Sequence, residues 1–458
     1  MRLSYLLSAT ILSASLLSLP TYAQDTPATD TPPAAAEAVA PPADAVPDAK
    51  AAPTPPATFG VNLQTAIDRA LQNSPRIKSA NAAVLATEGT RSQSDAWRNP
   101  EVGVLAENVG GGGRYSGMSS GEITYSVSQT IEVGGKRSGR RAVAEQGVAL
   151  SRHNQTLTQI NVVRDATVAY ANAVAAQEML KLAEEQKETA GGLYREVGER
   201  VDAAREPLIQ KSKAQITVST AAFAHERAER ELGHAKHVLS NMWGSHDDSF
   251  PLDTSDFFVL TPPITEADAE AKMEKNPGYT RMESNFAKMQ AQYELEKSNA
   301  IPDPSFNAGV RDLRDTGDQA FIVGVSIPIP VFNMNRGNIE RARQEVSQAE
   351  SDKQAVKLAM INELHEALET QLNAYRNADN LKNSILPSAE KAFSLSRQGY
   401  RAGKFPYLEV LDAQRTLFDV KEQYIAALKE YHVAKAEVDK LTAGITEPGV
   451  TSGVENEE

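Results

Sequence analysis

The chain has 458 residues, with 47 Lys or Arg against 60 Asp or Glu, a formal net charge of −13 and no cysteine. The absence of cysteine excludes a disulfide scaffold, a cysteine-ligated zinc or iron–sulfur site, a cysteine nucleophile and a lipidated N-terminal cysteine. The negative charge argues against nucleic acid as a partner, because phosphate binding needs a basic surface.

The first 23 residues are typical of a secretory signal peptide. Arg2 precedes an apolar run from Leu6 to Leu19, and Thr21 and Ala23 put small residues at the −3 and −1 positions of a cleavage site. An uncleaved anchor is the alternative, but the run is shorter than the roughly 20 residues that a spanning helix needs. Residues 24–58 hold 9 of the 24 prolines and predict a disordered Pro/Ala-rich tether.

The body of the chain reads as two similar units. Residues 203–209 and 402–408 both begin with alanine and carry a proline at the fifth position, at an offset of 199, and Asn99-Pro100 matches Asp303-Pro304 at an offset of 204. Several weak matches near one offset predict an internal duplication. We place the first repeat at 59–260, the second at 261–444, and an acidic flexible tail at 445–458.

Each unit shows the order helix, two strands, long helix, tight turn, long helix. The first helical pattern runs from Leu63 to Trp97. The strands alternate apolar residues with small or polar ones, at Val102, Val104 and Ala106; at Ile123, Tyr125, Val127 and Ile131; at Phe306, Ala308 and Val310; and at Phe321, Val323, Val325, Ile327 and Ile329. A strand with one apolar face fits a bilayer-spanning strand, the alternative being the edge of a soluble β-sandwich. Four strands are too few to close a barrel. If these strands span a membrane, several copies of the chain must therefore contribute strands to one shared barrel.

The helical patterns are longer than those of ordinary globular domains. One extends from Asn338 to Ile385 and another from about Ser138 to Glu188. In the last helix an apolar seam steps by three and four residues, which is typical of a left-handed coiled coil. Its positions are Val410, Ala413, Leu417, Val420, Tyr424, Ala427, Tyr431, Ala434, Val438 and Leu441. The predicted fold class is an α+β membrane protein in which a long α-helical coiled-coil barrel joins four transmembrane strands per chain.

Catalytic motifs are weak, so we predict no enzyme and no cofactor. Residues 117–121 match G-x-S-x-G but lie in a glycine-rich loop, and His365-Glu366 lacks the second histidine of a zincin helix. His234 and His237 share a helix face, but without a third ligand they favour a solvated surface over a metal site.

Several segments resemble the TolC family of outer-membrane efflux proteins. They are the opening helix 62–75, the junction 386–392, and residues 399–404 followed by 408–415. The resemblance covers about residues 59–444. Within the family, residues 129–137 and 327–338 are similar to the CzcC-like branch, which serves RND pumps that export divalent heavy-metal cations.

This resemblance implies a homotrimer with a 12-stranded barrel in the lipid of the outer membrane and a helical tunnel in the periplasm. A periplasmic adaptor, or membrane fusion protein, and an inner-membrane RND pump would dock at the tunnel tip. A similar duct for drug efflux or type I secretion is one alternative, and a periplasmic coiled-coil adaptor or scaffold is another.

The resemblance also points to a periplasmic gate. Glu409 and Asp412 match acidic residues that ring the aperture in similar proteins, and Tyr400 matches a tyrosine that latches the tip. The two carboxylates are three residues apart and so share a helix face, which by itself also fits an ordinary solvated surface. Phe405 stands where family members often have a basic residue, which leaves Lys404, Arg401 or Arg205 as substitutes.

The two tight turns are the predicted adaptor-docking tips, the alternative being plain turns. Their residues are Ala204, Arg205, Pro207, Arg401, Gly403, Lys404 and Pro406.

Overall fold

The computed structural model describes residues 60–443, so the predicted signal peptide, tether and acidic tail lie outside the described residues. Nine α-helices and four strands form within that range. The helices are α1 (Leu63–Asn73), α2 (Pro75–Ser94), α3 (Lys136–Asp202), α4 (Leu208–Asn241), α5 (Glu266–Met273), α6 (Pro277–Asn299), α7 (Arg336–Asn380), α8 (Leu386–Arg401) and α9 (Tyr407–Thr442). The strands are β1 (Glu101–Glu107), β2 (Glu122–Thr130), β3 (Ser305–Leu313) and β4 (Asp318–Ser326).

The opening helix is two helices rather than the single one expected from Leu63 to Trp97. Ser74 is extended, with ψ of 126°, and Pro75 begins α2. Proline disfavours helical backbone in the residue before it, which explains the break. The second helix ends at Ser94, before Trp97.

The long helices are longer than the sequence indicated. α3 has 67 residues, which corresponds to about 100 Å. The helix expected over Asn338–Ile385 ends as α7 at Asn380, passes through a π-helical turn at Leu381–Ile385 and continues as α8 to Arg401. Pro387 is the second residue after this turn. A proline inside a helix removes one hydrogen bond and crowds the carbonyl four residues before it, and the wider turn accommodates both effects.

The four strands form one antiparallel sheet in the order β1-β2-β3-β4. β4 ends at Ser326, before the predicted Ile327 and Ile329, because Pro328 and Pro330 have no N–H to donate to a ladder. Likewise Ile131 lies just beyond β2. Both β1 and β4 are edge strands of this sheet.

The faces of the sheet differ sharply in chemistry. The register aligns apolar rows across all four strands, one of Val104, Tyr125, Val310 and Phe321 and one of Val102, Val127, Ala308 and Val323. Phe321 and Val323 are 89% and 83% exposed. The opposite face carries Arg311, which lies 3.0 Å from the Glu107 carboxylate in an ion pair and donates hydrogen bonds to Glu122 at 2.9 Å and Thr124 at 3.0 Å. The alternation predicted from the sequence therefore produces one continuous apolar face.

The predicted seam of α9 lies in the core of the helical layer. All ten positions are buried except Ala413, which is half-buried. α9 packs against α3, α7 and α8, while α4 packs along α3. The helices are thus ordered α4, α3, α9, α8 near the two tight turns, and this order positions the candidate site.

Candidate functional site

The two tight turns have the same backbone geometry. Ala204 and Gly403 both adopt left-handed conformations, with φ of 55° and 71°. The residue after each donates its N–H to a carbonyl five residues earlier, Arg205 to Arg200 and Lys404 to Gly399, both at 2.8 Å. Pro207 and Pro406 then serve as the N-caps of α4 and α9. These are the two turns that the sequence predicted, again 199 residues apart.

Tyr400 is fully buried between the two hairpins. Its ring lies 6.0 Å from that of Tyr407, and the guanidinium carbon of Arg200 lies 4.6 Å from its centroid. Burial raises the pKa of Tyr400 to about 12, and the nearby Glu206 carboxylate adds to the effect. Within residues 60–443 its hydroxyl has no hydrogen-bond partner. Tyr400 therefore remains neutral and acts through its ring and its backbone.

Arg200 is the basic residue that the structure places on this tyrosine. It donates to the Tyr400 carbonyl at 2.7 Å and lies 3.8 Å from the Glu206 carboxylate. Sequence reasoning had offered Lys404, Arg401 and Arg205 and missed Arg200. The sequence feature that could have identified Arg200 is its position in the last turn of α3, where the free carbonyls of a helix attract cations.

A second ionic contact joins the hairpins. Glu196 of α3 accepts from Arg397 at 2.5 Å and from Arg401, both on α8. Burial alone would raise the pKa of Glu196, but its hydrogen bonds to Arg401 and Arg397 outweigh burial and lower it. Because the pKa of Glu196 is lowered, the contact stabilises the protein fully at any pH above the ordinary carboxyl pKa. This stabilisation is lost as the pH falls through the lowered pKa.

Glu409 and Asp412 lie on one exposed face of α9, beside the buried Val410. Neither carboxylate forms an ion pair or a side-chain hydrogen bond with any residue of the described range. Among residues 60–443 both charges are therefore free to face solvent, next to the turn that follows Tyr400.

The tips expose apolar as well as basic groups. Leu208 and Leu408, which lie in the first turn of α4 and of α9, are 70% and 57% exposed. Arg205 and Lys404 are exposed beside them. The ring of Phe405 packs on Gly399, where a Cβ would overlap it. Sequence reasoning did not name Leu208, Leu408 or Gly399.

The histidines of α4 are not gathered into a metal site. His237 stacks on His246 with centroids 6.1 Å apart. Among residues 60–443 no group of three or more His, Cys, Asp or Glu side chains is arranged to hold a metal ion. Over the same range, no helix is both long and apolar enough to cross a membrane.

Two long helical hairpins that contact each other at their tips, each preceded in the chain by two strands of a small sheet with one apolar face, are the subunit architecture of a TolC-like channel. The family model described as outer membrane efflux protein matches residues 66–245 and 273–444. The chain therefore belongs to the outer membrane efflux protein family. This confirms the family and the outer-membrane location, with a part in the periplasm, that the sequence predicted.

The chain is similar to two curated resistance proteins. The cobalt-zinc-cadmium resistance protein CzcC of Cupriavidus metallidurans is 27% identical, over 83% of this chain and 90% of that protein. The nickel-cobalt-cadmium resistance protein NccC of Alcaligenes xylosoxydans is 29% identical over 68% of each chain.

Solved structures show the same fold at lower identity. The crystal structure of CusC is similar with a TM-score of 0.72 and 19% identity, covering 84% of this chain and 94% of that one. The outer membrane protein VceC of Vibrio cholerae gives a TM-score of 0.71 and 17% identity, covering 84% and 97%.

Proposed function

We propose that this chain is the outer-membrane exit channel of a tripartite efflux system that exports divalent heavy-metal cations. The observation that carries the proposal is the similarity to CzcC over nearly the whole of both chains. NccC and the nickel and cobalt resistance protein CnrC, at 28% identity, support the same class of substrate. The channel is a passive duct, so it needs a lumen and a gate rather than a catalytic group.

The proposed assembly is a homotrimer. The open sheet, with its exposed apolar face and two edge strands, supports a barrel in which each copy contributes four of 12 strands. A lipid-exposed edge would leave backbone groups without partners, and shared closure removes it. The repeated element order and the equivalent turns at Ala204 and Gly403 support two repeats, at 59–260 and 261–444.

The gate is proposed at the second tip. In a trimer, Glu409 and Asp412 would supply six carboxylates around the aperture, and such a ring concentrates cations and disfavours anions. Their exposure and lack of ion-pair partners within residues 60–443 support this role. Tyr400, held by Arg200, would keep the hairpins together in the closed state.

The partners proposed are a periplasmic adaptor at the tips and an inner-membrane RND pump beyond it. Exposed Leu208 and Leu408, flanked by Arg205 and Lys404, support docking, since apolar side chains rimmed by charge are typical of interfaces. Residues 1–23, 24–58 and 445–458 keep their proposed roles as signal peptide, tether and tail.

A second candidate is export of an organic substrate. The pyoverdine export outer membrane protein OpmQ of Pseudomonas aeruginosa is 22% identical over 80% of this chain. This weaker similarity favours the TolC-like alternative of a drug-efflux or secretion duct.

The test is growth of a deletion strain on zinc, cobalt, cadmium, nickel and copper, beside dyes and detergents. Sensitivity to metals alone, rescued by the wild-type chain, is the expected result. The Glu409→Ala/Asp412→Ala variant should rescue poorly, whereas Glu390→Ala, which removes an exposed carboxylate on α8, should rescue fully. Sensitivity to dyes and detergents without any metal effect would contradict the metal assignment.

A further inference from the structure

We infer that Arg311 prevents divalent cations from binding to Glu107 and Glu122 on the polar face of the sheet. Its guanidinium lies where two facing carboxylates would otherwise hold such an ion. The inference rests on the proposed export of divalent cations and deepens it, because it names a residue that keeps the cargo from being retained inside the barrel.

The polar face brings two glutamates together at one end of the sheet. Glu107 is the last residue of β1, Glu122 is the first of β2, and the register sets them directly opposite each other. Residues paired in this way have Cβ atoms about 4.5–5.5 Å apart, and like charges at that spacing repel. The two side chains are 42% and 26% exposed, so ions in solution can reach both carboxylates.

Arg311 reaches both glutamates from β3. Its Nη1 donates to Glu122 at 2.9 Å, its Nη2 lies 3.0 Å from the Glu107 carboxylate, and its Nε donates to Thr124 at 3.0 Å. The strand β2 lies between β1 and β3, and neighbouring strands are about 4.8 Å apart. The Arg311 side chain must therefore extend along the sheet, which holds its guanidinium between the two carboxylates.

Asn108 adds a third oxygen to this cluster. It directly follows Glu107, and its Nδ2 donates to Oε1 of Glu122 at 3.4 Å, while Arg311 binds Oε2 of the same carboxylate. Carboxylates and side-chain amide oxygens both ligate divalent cations. Without the guanidinium, three neighbouring side chains would thus offer oxygen ligands to one ion.

No other position in the four strands sets two carboxylates opposite each other. The remaining acidic residues, Glu101, Asp312 and Asp318, are paired in the register with uncharged residues. Arg311 is also the only basic residue that these strands contain. The one guanidinium of the sheet therefore lies at the one place where two carboxylates could chelate a cation.

A purely structural role explains this arrangement less well. The side chain of Arg311 is 32% exposed, and ion pairs that are open to solvent contribute little to stability. The chain should therefore fold without the guanidinium, and the main consequence of its loss should be two carboxylates without a counter-charge.

Titration calorimetry with Zn²⁺ on the purified full chain tests the inference. Arg311→Met should bind one more Zn²⁺ per chain than the wild type. The control is Arg114→Met, which removes a guanidinium that lies 2.9 Å from the single carboxylate of Asp315, and it should bind no additional ion. Equal Zn²⁺ binding by the wild type and Arg311→Met would overturn the inference.

Two further variants assign the additional ion. Adding Glu107→Gln and Glu122→Gln to Arg311→Met should abolish its binding, and an ion that remains in the triple variant would overturn the inference. If Arg311→Met does not accumulate, Arg311→Gln is the substitute, because its amide can still donate to Thr124. It should bind the same additional ion, and a wild-type count for Arg311→Gln would likewise contradict the inference.

A current measurement tests the consequence for transport. In planar bilayers, the Zn²⁺ concentration that halves the current should be at least about tenfold lower for Arg311→Met than for the wild type, because uncompensated carboxylates retain the ion. The Arg114→Met channel should behave as the wild type does. The same Zn²⁺ sensitivity in Arg311→Met and wild-type channels would contradict retention.

The growth assay separates this inference from the proposed function. If the wild-type chain gives no metal resistance while Arg311→Met binds the additional ion, the role of Arg311 is supported and metal export is contradicted. If the wild type gives resistance and Arg311→Met binds no additional ion, only the role of Arg311 is contradicted.

Discussion

At the scale of single residues, the tip depends on one arginine that no motif identified. Arg200 contributes a hydrogen bond to the Tyr400 carbonyl and a guanidinium over the Tyr400 ring. Hydrogen bonds from charged donors contribute about 1.5–3 kcal/mol, and partly buried cation–π contacts about 0.5–2 kcal/mol. The sequence places Tyr400 just before the second turn, but its partner depends on how two distant hairpins meet.

Removing the guanidinium should loosen the closed tip. Arg200→Met keeps the apolar stem and loses both contacts, so we expect the open fraction of reconstituted channels to rise at least about tenfold, the change that 1.4 kcal/mol produces. Single-channel recording in planar bilayers measures it. Arg205→Met, at an exposed residue of the first tip, is the control and should leave the open fraction unchanged. An unaltered Arg200→Met channel would show that this contact does not hold the gate.

The two turns offer a matched pair of backbone substitutions. A residue with a Cβ loses about 1–2 kcal/mol in the left-handed region. Ala204→Gly should therefore stabilise the chain and Gly403→Ala should destabilise it, each by about 1 kcal/mol, because both positions have positive φ. Denaturant unfolding of the purified protein gives both values. Shifts of the same sign for the two variants would contradict equivalent turns.

At the scale of elements, prolines decide where helices begin and bend. Pro75 and Pro277 each start a helix after a short one, and Pro387 follows the π-helical turn that joins α7 to α8. The sequence showed these prolines, but only the packing of α7 and α8 along α9 selects a π-helical turn over a full break. Helical continuity preserves the row of buried residues on both sides of the turn.

Asn276 joins three elements and gives a prediction at this scale. It caps α6 by accepting from the Gly278 N–H at 2.7 Å, and it donates to the carbonyls of Lys440, Leu441 and Ala443 at 2.9–3.1 Å. Asn276→Ala would leave buried carbonyls without a donor, so we expect a loss of about 2–3 kcal/mol in the free energy of unfolding.

Ser74 is the matched control for this substitution. It occupies the same position before α2 and is equally buried, but its side chain makes no capping bond. Ser74→Ala should change the unfolding free energy by less than about 0.5 kcal/mol. Equal losses at both positions would contradict the role assigned to the Asn276 amide.

At the scale of the whole molecule, the two faces of the sheet differ in chemistry and call for different surroundings. Within residues 60–443 nothing covers its apolar face, and on its polar face Arg311 pairs with the Glu107 carboxylate and donates hydrogen bonds to Glu122 and Thr124. In the barrel that we propose, lipid outside and water inside would satisfy both faces, in agreement with membership of an outer-membrane family.

A charge on the apolar face should block insertion. Val323→Arg puts a guanidinium where we propose lipid, at a cost of about 2–4 kcal/mol near the bilayer centre. Fractionation should then show less chain in the outer membrane than for Asn307→Arg, which places the same group on the exposed polar face of β3. Equal amounts of both variants in the outer membrane would show that lipid does not cover that face.

Local pattern was enough to predict much of this molecule. The alternation of Phe321, Val323 and Val325, the seam from Val410 to Leu441 and the two turns at Ala204 and Gly403 are all properties of neighbouring residues, and each was found where it was predicted. Periodicity identifies such features because it records which side of an element meets water.

The contacts of Arg200 with Tyr400, of Glu196 with Arg397 and of Asn276 with the end of α9 were decided by the tertiary structure. Each joins residues more than 160 positions apart, so no local spacing encodes it. The tertiary structure also decided the precise ends of α2, β4 and α7. Proline limits where a helix or strand can end, and packing determines at which of the allowed residues it does end. The sequence repeats are enough to recognise a chain of long helices. The contacts between residues of different hairpins form only when the hairpins lie side by side, so the sequence pattern does not reveal them.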